Sequence, residues 1–162
     1  MYIYSLKTKP IINRQPCLLK SIIGIYMLIH LLLASYPATA GGACAVAKEL
    51  GNSLAVEWIA QDGETSASAT EKAKDLLQKK GFTKKKLRDL HIQASTSIPH
   101  GYMVIIKSSY KTRIGKERTS YGCGFNRQAP AAAEQAAIRN LRSFSWGWKP
   151  EFGYELHARH RF

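Results

Sequence analysis

Residues 120–141 read SYGCGFNRQAPAAAEQAAIRNL. The first part, through Asn126, is a strand pattern of aromatic and small residues. The second part is a helix. Pro130 suits a first helical turn, where its missing N–H costs nothing. Ala133, Ala137, Ile138 and Leu141 then recur at helical spacing and form one apolar stripe, with Glu134, Gln135, Arg139 and Arg142 turned outward. An Ala-rich stripe lets a helix lie close on a sheet. Gly122 and Gly124 therefore read as a bulge or as a close approach of strand to helix. A lone Gly-x-Gly without the rest of a phosphate-binding fingerprint says little about nucleotides.

Upstream, HGYMVIIKSSY (100–110) is dense in β-branched and aromatic residues. Tyr102, Val104 and Ile106 share one face and Met103 and Ile105 the other, so this strand is expected to be central and buried. A polar link, KTRIGKE, joins it to the strand before Gly122 as a hairpin. Residues 67–80 are expected as a helix. Ser68 and Glu71 form a capping box, Ala69, Ala73, Leu76 and Leu77 form a stripe, and Gly81 stops it. Residues 44–50 and 53–60 flank Gly51-Asn52 as a first hairpin, with Val56 and Trp58 on one face. Residues 90–97 add a strand, and YELHARHRF (154–162) alternates as a final edge strand. The order β-β-α-β-β-β-α-β predicts an α+β fold, one antiparallel sheet of five or six strands with both helices on one face. Ala69, Ala73 and Leu77 match Ala133, Ala137 and Leu141 at one constant offset, a hint of duplication.

The N-terminus reads as an address. Residues 1–20 carry Lys7, Lys9, Arg14 and Lys20 and no acid, SIIGIYMLIHLLLA follows, and Ala38-Thr39-Ala40 closes the pattern of a secretory signal peptide. The expected domains are a cleaved leader, 1–40, and a single exported domain, 41–162. A retained anchor, or a lipid on Cys44, are the other readings of this region. The apolar run is short for a bilayer span, and membrane contact is expected only through this segment. Removing the leader's four cations leaves twenty Lys and Arg against eleven acids, a net +9. That balance favours acidic partners or simply solubility. Cys17 leaves with the leader, and Cys44 and Cys123 remain. In an oxidising space two lone thiols pair, so a Cys44–Cys123 disulfide is expected. The cysteines and histidines lack zinc-site spacing, and no metal or cofactor is expected.

The run SYGCGFNRQAPAAAEQAAIRNL resembles small secreted bacterial domains of unknown function, in which an aromatic-Gly strand leads into an Ala-rich helix with A-A-E-Q-A-A. The resemblance spans about residues 102–148 and implies an exported domain without assigned catalysis. Residues 67–142, read α-β-β-β-α, are also similar in topology to the double-stranded-RNA-binding domain. That family places lysines at the start of its last helix to hold phosphates. Here Asn126, Arg127, Gln128, Ala129 and Pro130 bring a single positive charge, so nucleic acid is disfavoured as a partner.

Two stretches stand out as candidate surfaces. Lys79, Lys80, Lys84, Lys85, Lys86 and Arg88 form the densest charge run, either a solvated helix end or an anion-binding patch. The aromatic tail, Phe144, Trp146, Trp148, Phe152 and Tyr154, is either a flap over the core or a partner-binding surface. Trp146, Trp148, Tyr154, Arg159 and Arg161 are its binding candidates, since Trp, Tyr and Arg concentrate at hot spots, and His157 and His160 would add a pH-dependent rim. Pairing Cys123 with His91 or His100 as a nucleophile and base has no support from spacing, and the glutamates follow no acid–base pattern. The expected role is therefore a non-catalytic binding module for an unknown protein or a polyanionic envelope partner, with binding of polyanions through residues 79–88 as the alternative.

Overall fold

Two apolar faces on one strand require two covering layers, and this requirement organises the molecule. The computed structural model describes residues 40–84 and 88–162. The expected leader, apart from Ala40, lies outside these residues, as do Lys85 and Lys86. The central strand is β4 (Tyr102–Lys111). Met103, Val104, Ile105 and Ile106 are all fully buried on it, in alternation toward two different clusters.

The chain runs β1 (Ala40–Glu49), β2 (Asn52–Asp62), α1 (Ser66–Lys79), β3 (Arg88–Thr96), β4, β5 (Glu117–Asn126), α2 (Pro130–Phe144), a 3-10 turn (Pro150–Phe152) and β6 (Glu155–Arg161). The order of elements is the one expected. The single sheet is not. The strands form two antiparallel sheets of three, ordered β2-β1-β3 and β5-β4-β6. Met103, Ile105, Tyr121 and Cys123 of the second sheet pack on Cys44, Val46, Val56 and Ala60 of the first. The two helices then lie on opposite outer faces, not on one. Ala73 and Leu77 of α1 pack on Ala45 and Ala47, and Ala133, Ala137 and Leu141 of α2 pack on Val104 and Ile106. The fold is a four-layer α-β-β-α sandwich.

Each half is one strand–strand–helix–strand unit whose first strand is central, so the hint of duplication in the helix stripes corresponds to a repeated topology. The repeat extends to an irregularity. Opposite Cys44/Ala45 the strand β3 carries one extra residue, Gln93. Opposite Ile105/Ile106 the strand β6 carries one extra residue, His157. A bulged residue leaves the ladder and can turn toward another layer. Gln93 does so: its Nε2 donates to the Tyr121 carbonyl at 3.0 Å. The His157 ring packs edge-on against Tyr121 at 5.2 Å and against Trp58 at 6.3 Å.

An amide side chain bridges β5 and β3, an edge strand of each sheet. Asn140 of α2 accepts from the Cys123 N–H at 3.0 Å and donates to the Gln93 carbonyl at 2.8 Å. These bonds satisfy one backbone group on each strand that its own ladder does not. A linear strand pattern contains no signal for such a bridge.

Helix α1 starts one residue earlier than expected, at Ser66, and its cap lies three residues before the expected Ser68. The N-cap is Thr65, whose hydroxyl accepts from the Ser68 N–H at 3.0 Å. Ser68 instead donates its hydroxyl to Glu64 at 2.6 Å, and Glu71 pairs with Lys74 at 3.0 Å. Thr65 takes the cap because Glu64 draws the Ser68 hydroxyl away.

Candidate partner-binding surface

Both hairpins turn at the same end of the sandwich. Each helix follows the second strand of its half and runs back antiparallel to it, so both helices also finish there. The β1–β2 turn is Leu50-Gly51, with φ of 50° and 76°. Two positive φ values make the tight primed turn that suits strand twist. Gly51 takes this at no cost. Leu50 does not, because an L side chain in the left-handed region is strained. Strained backbone of this kind clusters at functional sites.

Leu50 is not alone. Ile114 tips the β4–β5 hairpin, and Trp146 follows the end of α2. Their exposures are 64% for Leu50, 77% for Ile114 and 99% for Trp146. With Phe144 they line one cleft of about 410 Å³, together with Arg113 and Arg118. The Arg118 guanidinium donates to the Leu50 carbonyl, and Asn52 Oδ1 accepts from the Thr119 N–H at 2.7 Å. These bonds tie the hairpin of one half to the hairpin of the other. Behind the cleft, the Phe144 ring lies against His91 at 4.8 Å and under Lys48 Nζ at 5.3 Å. Burial, chiefly, lowers the pKa of Lys48; burial and then the Lys48 charge lower that of His91.

The aromatic tail thus divides between its two expected roles. Trp148 is only 7% exposed. It covers β4, the first of the two expected roles: its indole N–H donates to Ser108 Oγ at 2.9 Å. Phe152 stacks on Tyr110 at 5.4 Å, and the Gly153 carbonyl accepts from the Ser108 hydroxyl at 2.7 Å. This flap covers the part of β4 that α2 does not. Trp146, two residues before Trp148, stands in solvent.

The remaining candidates sit elsewhere. Tyr154 donates its hydroxyl to Glu134 at 3.0 Å, and Arg159 pairs with Glu134 at 3.5 Å. Arg161 lies over the Tyr102 ring at 5.8 Å, at the far end of β4 from Ile114. At roughly 3.3 Å per residue the two ends of that strand are about 30 Å apart. His160 contacts the Ala60 carbonyl at 3.1 Å, so the histidines of β6 serve the contact between sheets.

Of the basic run, Lys79, Lys80, Lys84 and Arg88 are described. Lys80 pairs with Glu57, and Arg88 pairs with Glu49 at 3.4 Å. These four lie toward the hairpin end, where α1 finishes and β3 starts. The sequence had not singled out Leu50, Ile114, Arg113 or Arg118. The signal available was an isolated apolar residue within each of two polar turn segments.

Cys44 and Cys123 form a disulfide with Cα atoms 6.4 Å apart, joining β1 to β5 through the inter-sheet core. Both sulfurs are bonded and buried. The chain has no match among known protein families, curated proteins or solved structures.

Proposed function

We propose that this protein is an exported binding module that acts by contact through its hairpin end. The observation that carries this reading is the cluster of Leu50, Ile114, Phe144 and Trp146 beside Arg113 and Arg118. Large apolar side chains gathered at one exposed place mark interaction sites, and Trp with Arg is the composition of hot spots. The strained Leu50 adds to it, since folding alone favours Asn or Gly there. Export is supported by the leader pattern of residues 1–40 and is compatible with the buried Cys44–Cys123 bridge, which suits an oxidising compartment such as the periplasm or the cell exterior. The alternative, a polyanion site on residues 79–88 alone, has less support, because Glu57 and Glu49 already engage Lys80 and Arg88.

The test compares Trp146→Ala with Trp148→Ala in retention by native envelope material, with thermal melts in parallel. Trp146→Ala is expected to lose retention and keep its melting temperature. Trp148→Ala is expected to lose about 3–5 kcal/mol of stability, the usual cost of emptying a buried aromatic site. Unchanged retention in an Ile114→Ser/Trp146→Ala double variant would move the binding site elsewhere.

A further inference from the structure

The hairpin end combines two chemistries in a particular arrangement. Its apolar groups are tips on three separate connections: Leu50 between β1 and β2, Ile114 between β4 and β5, and Trp146 after α2. They stand out from the sandwich, and the cleft they border is lined mainly by apolar side chains. The collar is cationic. Arg113 and Arg118 line the same cleft, and Lys116 lies beside Leu50 and Arg118. Of the acids at this end, Glu49 pairs with Arg88 at 3.4 Å and Glu117 with Lys111 at 3.9 Å, while Asp89 stands across the β1–β3 ladder from Lys48. A flat protein partner would have to offer a matching pocket for each projecting tip. A fluid apolar layer under a sheet of phosphates needs no such match. Trp in particular favours the boundary between headgroups and acyl chains.

We propose that this end docks on an anionic, phosphate-bearing lipid surface. Leu50, Ile114 and Trp146 enter the headgroup region, and Arg113, Lys116 and Arg118 meet the phosphates. This rests on the binding-module reading and names its partner. It adds a membrane contact that the sequence located only in residues 1–40. Each cation near such a surface contributes about 1 kcal/mol, or about fivefold in affinity, and salt weakens that part.

The experiment uses the full chain and vesicles whose acyl chains carry bromine, of phosphatidylcholine alone or with phosphatidylglycerol added. The difference in fluorescence quenching between wild type and Trp146→Phe isolates Trp146, so attachment through residues 1–39 does not imitate the signal. The expected result is quenching of Trp146 on the anionic vesicles, reduced by roughly twenty-five-fold in apparent affinity in Arg113→Gln/Lys116→Gln. Equal quenching on neutral vesicles, or none on anionic ones, overturns the proposal. A parallel measurement separates the two readings. If lipid-free envelope protein shields Trp146 from iodide while vesicles do not quench it, the lipid assignment falls and the binding module stands. If neither shields it, both fall.

Discussion

At Gly124 the second helix leaves no room for a side chain. A Cβ there would collide with the Ala133 carbonyl and the Ala137 amide, and one at Gly122 would collide with the Ala137 carbonyl and Leu141. The obstacles at Gly124 are backbone, which cannot swing aside as a side chain can. Gly124→Ala is therefore expected to destabilise the protein by about 3 kcal/mol or more, at the upper end for overpacking, as read by denaturant titration. Of the two roles open to these glycines in the sequence, close approach is the one realised. Glu64 makes a different kind of prediction. Hydrogen bonds from Lys72, then Ser68, then Gln61, hold its pKa down to about 2, against a slight opposing effect of burial. A carboxyl depressed on folding stabilises above its unfolded pKa, and that contribution is lost as pH falls toward the folded value. Wild type should therefore lose melting temperature between about pH 4.5 and pH 2 more steeply than Glu64→Gln. Parallel slopes for the two proteins would remove Glu64 from the acid response.

The β1–β2 hairpin sets a conflict between its turn and its tip. Tight primed turns favour Asn or Gly where the chain has Leu50. Leu50→Asn should raise stability by about 0.5–1 kcal/mol, through relief of the left-handed strain, while weakening attachment of the hairpin end to its partner. A variant that is both less stable and equally well bound would show that Leu50 is a packing residue. The start and buried face of helix α2 were legible, because Pro130 and the Ala-Ala-Leu stripe encode them locally. The cap of α1 was not, because Glu64 lies outside the expected helix and competes for Ser68. The aromatic tail shows the same limit. Trp146 and Trp148 have similar local sequence, but only Trp148 faces Ser108, a residue 40 positions away.

Across the whole molecule the Cys44–Cys123 bridge links the two halves, with a sequence separation of 79. In the chain-entropy account a loop of that size is worth about 4 kcal/mol. Intact mass of the protein from its native source should begin at Gly41 and increase by two hydrogens on reduction. The reduced form should melt at lower temperature. A full-length mass with free thiols would defeat both export and pairing. The doubled strand–strand–helix–strand unit explains why one sheet was expected. Six strands and two helices in that order satisfy a single-sheet reading equally well on local grounds. The contacts between the halves, such as Gln93 with Tyr121 and Asn140 with Gln93, join residues distant in sequence.

The elements, their order, the buried faces of both helices and the pairing of the cysteines were legible before any fold was known. Those follow from periodicity, turn chemistry and the count of thiols, all of which are local or arithmetic. Tertiary structure alone decided that there are two sheets, that the helices cover opposite faces, and that Leu50, Ile114 and Trp146 meet at one end. Those outcomes depend on which surfaces remain to be covered once each half has formed. That is a property of three-dimensional packing between residues far apart in the chain, and no window of sequence contains it.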